Sequence, residues 1–171
     1  MSGSSPAERE PELGHVGKGV IAGFVATLEL SAIMLMKGWT GMMPQLDVIG
    51  MLSGMLDVGR AAGWIVHFIV GTVFYGIAYA LLERALPGGP TVSGMVLGII
   101  GWLVMMIALM PMAGLESFGM DLGIGVPIMT LILHLIFGAV LGWVGGALTA
   151  GIEEVHSDRL RLVQHNARVH R

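Results

Sequence analysis

The sequence has no cysteine, which removes disulfides, thiolate metal centres, iron–sulfur clusters and cysteine nucleophiles together. Charge is scarce as well: only 12% of the 171 residues are charged, against about 25% in soluble proteins. Net charge is −3 and there is no basic run, so no nucleic acid partner is expected. Nucleophile elbows, phosphate-binding loops, metalloprotease helices and paired sugar-cleaving carboxylates are missing as motifs. An ordinary hydrolase does not fit, and a non-enzymatic role is the expectation.

What remains is apolar. Hydrophobic residues make up 54% of the chain and mean hydropathy is +0.79, which suits a polytopic membrane protein. At roughly 20 residues per crossing, the length accommodates about four spans and no separate soluble domain. Glycine (27) and methionine (14) are the compositional anomalies. Glycine lets helices approach closely in lipid, where van der Waals contact replaces the hydrophobic effect as the main packing force.

Residues 1–15 are polar and acidic and read as a disordered tail; they lack the basic start and apolar core of a signal peptide. The transmembrane domain is expected over 16–151, followed by a charged cytoplasmic tail over 152–171. Within it, spans are expected near Val16–Met36, Ala61–Leu82, Thr91–Met110 and Gly125–Ala150. A short interfacial helix near Pro44–Asp57 is predicted to start at Pro44 and to be capped by Gly59. Pro111 should stop the third span, and Pro127 fits an early position of the fourth. Basic residues are Arg9, Lys18, Arg84, Arg159, Arg161, Arg168 and Arg171 on one side against Lys37 and Arg60 on the other, so both termini are expected in the cytoplasm.

One stretch occurs twice. Ile65–Val73 (IVHFIVGTV) matches Ile132–Val140 (ILHLIFGAV), and Gly19-x3-Gly23 matches Gly94-x3-Gly98. The expected fold is therefore all-α, with four spans arranged as two parallel two-helix repeats. Packing faces are expected at Gly19, Gly23, Gly71, Gly94, Gly98, Gly138, Gly142 and Gly146. Glu29, His67 and His134 fall at similar depth by helical rise, roughly 9–15 Å from the outer boundary. They form the candidate intramembrane polar site. Three readings stay open for it: structural hydrogen bonding with Glu29 paired to a histidine, proton or ion movement, and a metal or haem b held by His67 and His134. The glycine four residues after each histidine would let a macrocycle lie against the backbone, although plain helix packing produces the same pattern. No cofactor is the leading expectation, and no catalytic residue is assigned.

Met34, Met36, Met42, Met43, Met51, Met55, Met105, Met106, Met110, Met112, Met120 and Met129 gather in the outer half. Their thioethers suit Cu(I), but the blander role is adaptable core filling. Asp47, Glu116 and Asp121 place negative charge on the outer face with little to balance it. With the paired His-x3-Gly spans, Met43–Asp47 (MPQLD) and Met110-Pro111, the chain resembles a group of small bacterial inner-membrane proteins of unknown function, over about Val16 to Gly151. The resemblance implies four spans in a bacterial cytoplasmic membrane and brings no functional residue. The expected partners are the lipid bilayer and either a second copy or a larger membrane complex.

Overall fold

The computed structural model describes the backbone of residues 6–169 and the side chains of residues 14–151 together with Arg161. The described residues are helical, with no strand among them. Five helices organise the chain: α1 (Pro6–Thr40), the short α2 (Val48–Met55), α3 (Arg60–Leu82), α4 (Pro90–Met112) and α5 (Gly125–Val169). Four of them are long and apolar enough to cross a membrane, over Gly14–Thr40, Arg60–Leu82, Pro90–Met112 and Gly125–Gly151. The expected spans are thus present, each longer by between one and six residues. α1 begins inside the expected polar tail, and α5 runs into the expected charged tail. Residues 1–5 and 170–171, and the side chains of Arg9, Arg159 and Arg168, lie outside the described residues.

Helix starts follow local chemistry. Gly89 is the N-cap of α4, and Pro90, whose missing N–H would be unsatisfied there anyway, takes the first turn. The chain reaches α4 through Gly88, whose φ of +85° suits glycine. Two expectations for the outer segment need correction. α2 starts at Val48 rather than Pro44, because the Asp47 side chain accepts from Gly50 N at 2.9 Å and caps the helix there. Gly59 does not end α2, which finishes at Met55 with Leu56 as its C-cap; Gly59 is the N-cap of α3.

Pro111 does not stop the third span either. The helix continues to Met112 because Met105–Leu109 is a π-helical stretch. It covers residue 107, the carbonyl against which a proline ring at 111 would clash in a regular helix. α3 carries its own π-helical stretch at Ile69–Phe74. Gly71 and Gly76 are five residues apart, about 140° around a regular α-helix. The widened turn brings both onto α1: a Cβ on Gly71 would run into Thr27, and one on Gly76 would come within 2.7 Å of Val20 Cα.

Close glycine contacts join the helices in two pairs. Along α1–α3, a Cβ on Gly23 would lie 2.7 Å from the Thr72 carbonyl oxygen, and Gly19 and Gly76 abut each other. Along α4–α5, a Cβ on Gly94 would lie 2.7 Å from Gly142 N, a Cβ on Gly138 2.9 Å from Gly94 C, and Gly98 meets the His134 carbonyl. Gly146 packs on the Pro90 ring. The two crossings differ in register. The sequence match equates Gly71 with Gly138, whereas Gly138 takes the place against Gly94 that Gly76 takes against Gly19.

Two apolar clusters fill the bundle. Ala22, Ala26, Tyr79, Leu97, Phe137 and Leu141 form one. Leu46, Met105, Met106, Met110 and Val126 form the other, with Met43, Met51 and Met129 packed against it. Six methionines are thus packed in or against this cluster. Large apolar side chains such as Ile21, Phe24, Leu28, Phe74, Leu81 and Trp143 are exposed around the bundle, as contact with lipid tails requires.

Candidate functional site

Where the two clusters meet, α1, α3, α4 and α5 leave a cavity of about 110 Å³. His67 and His134 both line it, with Leu30, Met34, Tyr75, Met105, Thr130 and Phe137 among the other walls. The two intramembrane histidines expected to share a layer therefore share a cavity. Glu29 is not among its lining residues. It precedes Leu30 by one position, about 100° around the helix, and its buried Oε2 has no hydrogen-bond partner.

The hydrogen bonds fix what each imidazole offers. Ser31 Oγ donates to the Thr27 carbonyl at 2.6 Å, which commits its single proton. It also lies 3.1 Å from His67 Nε2, and while the hydroxyl donates to Thr27 it accepts from the ring, which then carries its proton on Nε2. His134 Nδ1 lies 2.8 Å from the Thr130 carbonyl, an obligate acceptor, so His134 carries its proton on Nδ1. In the neutral rings His67 Nδ1 and His134 Nε2 are consequently bare, each with a lone pair. Thr130 is itself anchored by donating to the Val126 carbonyl at 2.7 Å, and Trp102 Nε1 donates to its hydroxyl at 3.2 Å. Among the described residues no three His, Asp or Glu converge on one point.

The glycines following the histidines do not leave room for a macrocycle. The space beside Gly71 is filled by Thr27 and that beside Gly138 by the backbone of Gly94 and Met95. Helix packing accounts for both.

A second recess, of about 320 Å³, opens at the end of the bundle where α2 lies, the outer end in the expected topology, among Lys37, Met42, Asp47, Arg60 and Trp64. Met34 and Val48 line both spaces and form the wall between them. Asp47 is not an unbalanced acid: its carboxylate is paired with Arg60, which holds its pKa below the usual carboxylate value. Lys37 Nζ donates to the carbonyls of Met43 at 3.1 Å and Leu46 at 2.6 Å, tying down the loop that leads to α2. Glu116 N and Asp121 Oδ1, 3.3 Å apart, close a turn of their own. At the opposite end His15 Nε2 lies 2.9 Å from Glu83 Oε1, close enough for charge attraction although outside hydrogen-bond geometry. Nearby, Tyr79 Oη donates to the Gly142 carbonyl at 3.3 Å, linking α3 to α5.

Sequence reasoning did not single out Ser31 or Thr130, and named Met34 and Met105 only within a wider group of methionines. Its available signal was i, i+4 spacing: Thr27 to Ser31, Leu30 to Met34 and Thr130 to His134 each share a helix face.

Residues 13–155 match a family described as a family of unknown function (DUF6789), and the chain belongs to it. Over 71 residues the chain is also 44% identical to UPF0382 membrane proteins from two strains of Staphylococcus epidermidis. That match covers 39% of the chain and spans 57% of each relative. No solved structure matches.

Proposed function

We propose that this family member is a non-enzymatic protein of the bacterial cytoplasmic membrane, with both termini inside, whose paired histidines hold and pass on a proton or small ion. The observation that carries this is one cavity lined by histidines from two helices. Imidazole is the side chain best suited to exchange a proton near neutral pH, and intramembrane ionisable groups mark ion or proton paths more often than they merely pack. The outer recess adjoins the cavity through the Met34–Val48 wall, which gives the site a short route to one aqueous side. The orientation draws on Lys18 and Arg84 at one end of the bundle, while Lys37 and Arg60 at the other are engaged locally.

The working unit is a small oligomer or an accessory subunit in a larger membrane complex. What supports this is a lipid-facing groove of about 440 Å³ between Phe24, Trp64 and Phe68, beside which the Thr72 hydroxyl is buried without a partner. Haem b held by both histidines is the lesser reading, since the glycines that favoured it are occupied by helix packing.

Proteoliposomes with a trapped pH dye and a potassium diffusion potential test the proposal. Wild-type protein should acidify the lumen faster than protein-free vesicles, and His67→Gln with His134→Gln should abolish the difference. Flux no greater than in empty vesicles, or unchanged in the double variant, would overturn it.

A further inference from the structure

The walls around the histidines are unusual for a proton site in one respect: two thioethers accompany the imidazoles. Met34 and Met105 line the same cavity as His67 and His134. We propose that the cavity is a binding site for Cu(I), with His67 Nδ1, His134 Nε2, Met34 Sδ and Met105 Sδ as the donor set. The inference rests on the preceding reading of the cavity as an ion-holding site and names the ion.

The donor chemistry selects the metal. Thioether sulfur and neutral imidazole are soft or borderline donors, matched to Cu(I) and poorly matched to Mg²⁺, Ca²⁺ or alkali ions, which require oxygen ligands. No carboxylate lines the cavity, so a divalent ion would bring two uncompensated charges into an apolar interior. A monovalent ion brings one, and desolvation cost rises with the square of the charge. Each histidine also keeps one ring nitrogen outside the hydrogen bonds described above. The proton of each ring is already committed to Ser31 or to the Thr130 carbonyl, so the lone pair offered to a metal needs no deprotonation step.

The approach has the same character. Met42 and Met34 both line the outer recess, and Met34 is shared with the cavity. Met42 thus stands in the recess and Met34 in the wall, so a Cu(I) ion could exchange sulfur ligands as it moves inward, past an Asp47 carboxylate that is already paired with Arg60. Met105 opens the π-helical stretch of α4, and such irregular turns recur at functional sites because they re-aim one side chain. The site binds the metal without changing its oxidation state, so the ion must be delivered as Cu(I).

The test is anaerobic competition for Cu(I) between the purified full-length protein and bicinchoninate, with Ag(I) as a redox-inert probe. Wild type should bind one equivalent, with nitrogen and sulfur scatterers in the metal's X-ray absorption spectrum. Met34→Leu with Met105→Leu conserves volume and should keep the thermal unfolding profile. It should weaken binding by roughly 100-fold or more, since loss even of a partner behind the ligands costs about 10–100-fold. Met36→Leu with Met112→Leu, at exposed positions, should leave affinity unchanged. In wild type, Ag(I) should shift the ¹⁵N resonances of His67 Nδ1 and His134 Nε2, a readout independent of any variant folding. Affinity untouched by the Met34/Met105 pair, equal loss in the Met36/Met112 pair, or unshifted histidine resonances would overturn the proposal. Proton flux separates the two readings. Cu(I) binding without flux leaves the metal site standing and removes the proton path; flux without Cu(I) binding does the reverse.

Discussion

Replacing Gly138 with alanine adds one methyl group where α5 crosses α4. That carbon would lie 2.9 Å from Gly94 C and 3.0 Å from Met95 Cα, and both neighbours are backbone that cannot rotate away. Restoring ordinary contact at about 3.5–4.0 Å requires the helices to part by roughly 0.5–1 Å, and a gap of that size forfeits about a quarter to a half of the dispersion energy along the seam. The expected loss is about 1–3 kcal/mol, the usual cost of overpacking. Gly54→Ala in α2 is the internal control. Nothing lies within 4 Å of its Cβ, so alanine should gain roughly 0.5–1 kcal/mol of helix propensity. Unfolding of both variants in mixed detergent, followed by circular dichroism, measures the difference. If Gly138→Ala is as stable as wild type while Gly54→Ala behaves as expected, the α4–α5 seam is looser than described and the packing argument fails.

Asp47→Ala should cost about 0.5–2 kcal/mol at neutral pH through the lost N-cap. Because Arg60 depresses the Asp47 pKa in the folded state, its contribution is complete above the unfolded value of about 3.9 and fades as pH falls through the lower folded value. Melts of wild type and variant should therefore converge in acid, and a gap that widens there would refute the pairing. Glu29→Leu should stabilise the protein by roughly 1–3 kcal/mol, since its buried oxygen is unpaired, whereas pairing with His67 would make the change destabilising. Detergent unfolding decides between the signs. Tyr79→Phe should cost about 0.5–1.5 kcal/mol for the bond to Gly142, measurable in the same assay, and a silent result would remove that α3–α5 link.

The four spans were legible because twenty apolar residues between polar flanks admit little else. A common level for His67 and His134 was legible as an expectation, since rise per residue is constant, and both line one cavity. Azimuth was not. Glu29 was expected at a similar height, yet the wall of the cavity on α1 is Leu30 and Met34, one step around the helix. Glycine faces could be read from i, i+4 spacing on α5, but the five-residue gap between Gly71 and Gly76 hid their common face, because only a widened turn reconciles them. The start of α2 went to Pro44 on local preference, whereas a tertiary partner decided it: Arg60, thirteen residues on, holds Asp47 in place as the cap.

The widened turn in α3 also bears on how relatives should be compared. Each residue advances a helix by about 100°, so a chain lacking one residue between Ile69 and Phe74 would close into an unbroken α-helix. His67 would then swing by about 100°, away from Ser31. Its hydropathy profile would hardly change, and it would still cross the bilayer. In an alignment that difference is a single gap inside an apolar run, a place where gaps are usually dismissed as noise. Here it would divide chains that aim the imidazole toward Ser31 from those that aim it elsewhere, a division percentage identity does not register.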